Sequence, residues 1–290
     1  MGVSATTQVN NNIVNHPGSG KRSGVQSRAF AARPAHTGCC FGCFQHEHCS
    51  LFRLMDLAQQ AGQPAVLETW PLAAGSSVCR TGDEHEGIFV IKSGAAKSSL
   101  ISMDSGEQIL AFHLPGDLLG LDSLGTGRYG STVTTLERST VCKLPARQLD
   151  DLISRDAGLL RWFLDTVGVL LASYQQHFSV LGGMRAEARL CRFLLEQSRR
   201  YQEHGCAANE FNLIMTRQDI SSYLGVALET VSRIVARLHR HGVIEVDRRH
   251  ITILDAGRLE ALAHSSAVDA SNWHKRGRKT AAAKLAAGLR

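Results

Sequence analysis

Met215-Thr216-Arg217-Gln218-Asp219-Ile220-Ser221-Ser222-Tyr223-Leu224-Gly225-Val226-Ala227-Leu228-Glu229-Thr230-Val231-Ser232-Arg233 is the stretch that decides the fold. Thr216 is an N-cap residue, and Asp219 three positions on makes an acidic variant of the capping box. Gly225 supplies a tight turn after Tyr223-Leu224. The pattern over 228–241 predicts a second helix carrying Arg233, Arg237 and Arg240, ended by Gly242. Beyond it, 243–246 and 250–254 read as a β-hairpin, and 185–202 upstream reads as another helix. Capped helix, glycine turn, arginine-bearing helix and hairpin are the parts of a helix-turn-helix with a β wing. Glu229, Ser232 and Arg233 lie at i, i+3 and i+4, so they share one face near the end that meets base edges in such a motif. Arginine can donate two hydrogen bonds to O6 and N7 of guanine, and glutamate can accept from N4 of cytosine. Arg237 and Arg240, further along, suit phosphates. The Glu/Arg pair alone is equally a surface pair worth roughly a few tenths of a kcal/mol. Cap, turn and wing together make it a DNA-reading face.

Working outward, the apolar positions Leu164, Val167, Leu171, Tyr174, Phe178 and Leu181 are spaced 3-4-3-4-3, an a/d heptad seam that Leu160 extends backward and Gly182-Gly183 ends. A helix packed on its own domain is the alternative, but a strict seam is narrower than a core-facing stripe. A dimerisation helix is the expectation, and a dimer would present two recognition helices to a palindrome. Further upstream, short β-type runs at 66–70, 88–91, 97–102, 108–114, 131–136 and 140–144 are punctuated by Gly75, Gly82, Gly87, Gly94, Gly106 and Gly116. That texture predicts a small antiparallel barrel or jelly roll.

Composition bounds what remains. The 290 residues are 43% hydrophobic and 20% charged with a net charge of +6, enough for about two domains. Apolar runs such as 167–172 fall far short of the ~20 residues that cross a bilayer. Residues 1–38 lack the apolar stretch of a secretory signal. A cytoplasmic protein without membrane contact is expected. Residues 1–38 carry +4 and 271–290 carry +6, so the rest of the +6 chain carries −4. Both ends read as disordered, and basic ends favour polyanions such as nucleic acid. No acid/base constellation points to an enzyme.

Eight cysteines without an export signal argue for reduced thiols or metal. Cys39, Cys40, Cys43 and Cys49 fall within eleven residues. Three thiolates on a short loop can hold three irons of a cluster, and a fourth must come from elsewhere. Chemistry alone leaves Cys79 and Cys142 open for that role. Cys39 offers an alternative register to Cys40, and His46 and His48 invite zinc with Cys40, Cys43 and Cys49. A metal-free thiol switch is a further option. Cys191 and Cys206 read as buried hydrophobes or bystanders. Gly125-Thr126-Gly127-Arg128-Tyr129-Gly130 spells a dinucleotide motif but precedes β-branched residues, so it is a chance match.

Barrel, long helix and winged helix-turn-helix, in that order, resemble the CRP/FNR superfamily of bacterial transcription regulators over residues 39–263. The resemblance rests most on Phe112-His113-Leu114-Pro115-Gly116-Asp117-Leu118, Met215-Thr216-Arg217-Gln218-Asp219-Ile220 and Leu228-Glu229-Thr230-Val231-Ser232-Arg233. It implies an α+β chain: disordered extension 1–38, cysteine loop plus cyclic-nucleotide-binding-like jelly-roll sensor 39–149, dimerisation helix 150–183, winged helix-turn-helix 184–263 and basic tail 264–290. Glu-x-x-Ser-Arg is similar to the recognition helix of the FNR branch. The implied half-site resembles TTGAT, with Arg233 and Glu229 on the G·C pair, Ser232 near a thymine, and Thr216, Arg217, Thr230 and Arg237 completing the DNA-facing set. Cys40-x2-Cys43-x5-Cys49 is similar to that branch's cysteine spacing, and Ser139-Thr140-Val141-Cys142-Lys143-Leu144-Pro145 to its distal-ligand strand. The resemblance thus implies an oxygen-labile [4Fe-4S] cluster on Cys40, Cys43, Cys49 and Cys142, a homodimer controlling anaerobic genes, and barrel loops such as 120–125 facing RNA polymerase. Zinc, thiol redox or a small ligand is the alternative gate. Nucleotide-binding members hold the cyclic phosphate with Arg followed by Ser or Thr; here Tyr129 stands at that position, so cyclic nucleotide is not expected. Tyr174 stands where the branch carries an acid that destabilises the cluster-free dimer.

Overall fold

Residues 49–63, 65–102 and 106–264 are described by the computed structural model. The chain enters through α1 (Ser50–Gln60), a helix that the sequence reading did not anticipate, which buries Leu51, Leu54 and Ala58 on one face. Eight strands follow: β1 (Glu68–Leu72), β2 (Ser77–Cys79), β3 (Gly87–Ser93), β4 (Ala96–Ser102), β5 (Gly106–His113), β6 (Leu118–Leu119), β7 (Thr132–Thr135) and β8 (Ser139–Pro145). They form two four-stranded antiparallel sheets, ordered β1-β8-β3-β6 and β2-β7-β4-β5, facing each other as a jelly roll. Alternation in Thr132–Thr135 sends Val133 and Thr135 inward, while Ile88, Phe89, Val90 and Ile91 of β3 are all buried. Gly87 lets β3 pass close to β8: its φ is 148°, and a Cβ there would sit 2.2 Å from the Leu144 carbonyl oxygen.

The expected single helix over 150–183 is two. α2 (Ala146–Arg155) lies against the barrel through Leu149 and Leu152, and α3 (Ala157–Gly183) starts after a break at Asp156. Asp156 is extended and its carboxylate accepts from Leu159 N at 2.8 Å, a side-chain N-cap that starts a new helix. α3 carries two stripes. Leu159, Phe163 and Val180 are buried against its own chain. Leu160, Leu164, Leu171 and Phe178 are 41–68% exposed, and Val167, Tyr174 and Leu181 are half-buried. The seam read from the sequence is therefore an unsatisfied apolar face beside a satisfied one.

The remainder comprises α4 (Ala186–Glu203), β9 (Glu210–Asn212), α5 (Arg217–Leu224), α6 (Leu228–Arg240), β10 (Ile244–Asp247), β11 (His250–Ile253) and α7 (Ala256–Ala263). The wing hairpin pairs Ile244 with Ile253 and Asp247 with His250. β9, too short to show in the sequence pattern, adds a third strand through Phe211 opposite Ile251. Leu190, Leu194, Leu224, Leu238, Ile244 and Leu259 centre this core, and Ile109 and Phe112 of β5 enter it from the jelly roll. Cys39, Cys40, Cys43, His46, His48 and both basic ends lie outside the described residues.

Candidate functional site

The thiols sort by cluster. Cys142 is 6% exposed on β8, opposite Thr69 of β1 and Val90 of β3, and Thr69 Oγ1 meets its sulfur at 3.5 Å. It belongs to an apolar cluster with Leu51, Leu54, Leu149, Leu159 and Phe163, against which Cys49 also packs. Cys49 caps α1, its sulfur accepting from Phe52 N at 3.4 Å. Cys79 sits in a different cluster on β2, with its pKa pushed up to about 12 by burial and then by Asp122. Burial likewise pushes Cys191 up to about 12, and both are inert thiols at neutral pH. The chemistry of the pair fits a thiolate-ligated group: two sulfurs from distant segments pack against one apolar cluster. Cys40 and Cys43 fall outside the described residues, and among the described residues no three His, Cys, Asp or Glu side chains are placed to hold a metal ion.

Tyr129 fills part of the barrel interior. It is 3% exposed, its hydroxyl donates to the Gly87 carbonyl at 2.8 Å and accepts from Glu86 N at 3.2 Å, and its ring leans on Phe89. A Cβ on Gly120 would come within 2.9 Å of that ring. Tyr129 thus contributes an uncharged, hydrogen-bonded ring to the barrel interior. The nearby G-x-G-x-x-G leads into β7 and opens no helix.

The reading head is built as its sequence requires. Thr216 Oγ1 accepts from Asp219 N at 3.1 Å and Asp219 Oδ2 accepts from Thr216 N at 2.9 Å, closing the capping box. Burial raises the Asp219 carboxyl, but hydrogen bonds from Lys97 and Thr216 outweigh it and hold it below the usual range. Gly225 takes the left-handed conformation, φ 61°, that turns α5 into α6, and Arg189 fastens the turn by donating to the Leu224 carbonyl at 2.8 Å. Val231, Ile234 and Leu238 anchor α6, each worth roughly 1.5–3 kcal/mol when buried. The opposite face keeps Glu229 and Arg233 exposed, with Ser232 and Thr230 half-buried beside them. Arg233 Nη2 reaches Thr230 Oγ1 at 3.4 Å. Thr216 and Arg217 are exposed at the start of α5. Arg237, expected on phosphate, pairs with Glu187 of α4 at 2.8 Å. Arg248 and Arg249 at the wing tip are exposed cations that sequence reasoning did not single out; the signal was Asp247-Arg248-Arg249-His250, a two-residue turn between strands, with Arg248 at φ 55°.

A jelly roll joined by a long helix to a winged helix-turn-helix defines a DNA-binding regulator rather than an enzyme. Family comparison matches a Crp-like helix-turn-helix domain over residues 188–262 and a cyclic nucleotide-binding domain over 69–156. The chain is 35% identical to the fumarate and nitrate reduction regulatory protein of Salmonella typhi over 242 residues, 82% of this chain and 97% of that one. It is 36% identical to the anaerobic regulatory protein of Haemophilus influenzae, covering 76% of this chain and 86% of the relative. The solved structure of FixK2 from Bradyrhizobium japonicum superposes with a TM-score of 0.65 at 28% identity, covering 70% of this chain and all of that one. The chain belongs to the CRP/FNR family of transcription regulators, on its FNR branch. Helix-turn-helix and family together imply DNA binding and dimerisation. Among the described residues no helix is long and apolar enough to cross a membrane.

Proposed function

We propose that the protein is an oxygen-responsive, cytoplasmic regulator that binds palindromes of TTGAT-type half-sites as a homodimer and controls anaerobic genes, with DNA binding dependent on a [4Fe-4S] cluster. Cys40, Cys43, Cys49 and Cys142 would hold the cluster. When bound it supplies a ligand that oxygen destroys, so its presence reports anaerobic conditions. The observation that carries this reading is the meeting of Cys49 and Cys142 at one apolar cluster that also contains Leu159 and Phe163 at the root of α3. Holding those thiols together ties the segment before α1 to the barrel beside the helix whose other face is the dimer seam. A ligand bound more tightly by the dimer than by the monomer shifts that equilibrium by its differential affinity. The printed names of the relatives, fumarate and nitrate reduction regulator and anaerobic regulatory protein, support the same physiology.

On the DNA, Arg233 and Glu229 would read the G·C pair, Ser232 and Thr230 the neighbouring bases, and Thr216, Arg217 and the wing arginines the backbone. Arg237 would reach phosphate only by exchanging Glu187 for it. Barrel loop 120–125 would face RNA polymerase. Tyr129 supports a gate other than cyclic nucleotide. Anisotropy titration of a labelled TTGAT palindrome tests the reading. Anaerobically purified protein should bind it, and brief exposure to air or Cys142→Ala should weaken binding. Equal binding before and after air would overturn it.

A further inference from the structure

The head is joined to α3 only through extended Met184 and Arg185, directly after Gly182-Gly183. Contacts must fix the orientation: His177 of α3 stacks on Tyr223 of α5 with ring centroids 4.2 Å apart, and a set of polar contacts lines the outer edge of β5. β5 ends its sheet, so its outward backbone groups have no partner strand. Side chains of the head take that role. Ser222 of α5 donates to the Glu107 carbonyl at 2.7 Å and accepts from Ile109 N at 2.9 Å, while Gln108 Nε2 donates to the Ser222 carbonyl at 2.6 Å. Arg200 of α4 donates to the Phe112 carbonyl at 2.9 Å and pairs with Asp117. Lys97, on neighbouring β4, bridges Glu107 at 2.9 Å and Asp219 at 2.8 Å, and Asp219 is the capping-box residue of α5. Lys97 and Asp219 side chains are 14% and 11% exposed, so this pair is shielded from solvent. Glu229, Arg233, Thr216 and Arg217 remain exposed, so the grip leaves the reading face open.

We propose that Lys97 and Ser222 are positioning residues for DNA recognition: the β4–β5 edge clamps α5 so that each recognition helix is held at a fixed angle to α3. The consequence is fidelity of half-site spacing. A dimer with clamped heads reads two half-sites at one separation, and each inserted base pair turns a half-site by about 34°. Heads freed from the clamp can swivel to follow. The inference rests on the two-half-site reading above, so its test includes the wild-type protein as a reference for that reading.

The experiment titrates full-length, anaerobically purified protein onto three duplexes: two TTGAT half-sites at the spacing the wild type prefers, the same with one base pair inserted, and a single half-site. Wild type should lose about tenfold or more on insertion, equivalent to roughly 1.4 kcal/mol. Lys97→Met and Ser222→Ala should each shrink that penalty several-fold and weaken binding at the preferred spacing, with single-half-site affinity and far-UV circular dichroism unchanged. Ser222→Ala removes only a hydroxyl, so it answers the question should Lys97→Met disturb the hairpin. A full wild-type penalty in Ser222→Ala and in folded Lys97→Met overturns the clamp. Tighter binding by the variants without loss of spacing preference also overturns it, because the contact would then be inhibitory. A wild type indifferent to spacing removes the two-half-site reading and the clamp with it.

Discussion

At the scale of the residue, two side chains carry separable consequences. Arg233 stands exposed on the face of α6 opposite its buried anchors Val231, Ile234 and Leu238. Arg233→Ala should cost about 1–3 kcal/mol on the specific site and relax preference at one base pair, measured by competition among single-substitution duplexes. A uniform loss on all duplexes would reassign it to phosphate. His113 is 7% exposed, lies 2.5 Å from Ser98 Oγ, and burial pushes its pKa down to about 4, with Asp117 opposing and Arg200 adding. The unfolded chain takes up that proton below about 6.5 while the folded chain refuses it until about 4. Stability is therefore full above pH 6.5 and falls through that window, by up to about 3 kcal/mol. His113→Gln keeps a hydrogen-bonding partner for Ser98 without titrating, so its Tm should fall less between pH 6.5 and 4 than that of wild type; parallel curves would contradict the assignment. The sequence showed Arg233 because helical spacing puts it beside Glu229 and Ser232. It did not show Arg237 pairing with Glu187, because that contact joins helices fifty residues apart and no local pattern encodes it.

At the scale of the element, α3 is the decisive helix. Its 3-4 spacing was legible because two stripes with different partners leave a narrow seam, and Leu164, Leu171 and Phe178 are the exposed part of it. The break at Asp156 was not legible as such. Asp-Ala-Gly reads as helix interior until the cap is seen to turn the chain, and α1 and β9 were missed because each depends on tertiary contacts for its burial. Tyr174 is half-buried in the seam, and burial followed by Asp122 raises its phenol above the ordinary range, so it brings no charge there at neutral pH. On the proposed dimer seam, an aspartate at that position would add a like charge to each protomer. Sedimentation of cluster-free protein should show more dimer for wild type than for Tyr174→Asp, and equal dimer fractions would remove this argument.

At the scale of the whole molecule, jelly roll and winged head share one core at β5, where Ile109 and Phe112 pack among residues of α4 and α5. The jelly roll and the winged head were each readable from local punctuation and capping. Their union was not, since it depends on an edge strand finding side-chain partners more than a hundred residues later. The thiol pair follows the same logic: Cys142 parts from Cys79 only when the barrel closes and places them in different clusters. In the proposed function Cys40, Cys43, Cys49 and Cys142, not Cys79, hold an oxygen-labile cluster. The most direct test of that central claim is iron, zinc and acid-labile sulfide content of anaerobically purified protein, with the visible spectrum before and after air. Iron and sulfide in equal amounts, with a broad brown absorption that air bleaches and Cys142→Ala abolishes, is the predicted result. Colourless protein containing zinc, or no metal at all, would contradict it.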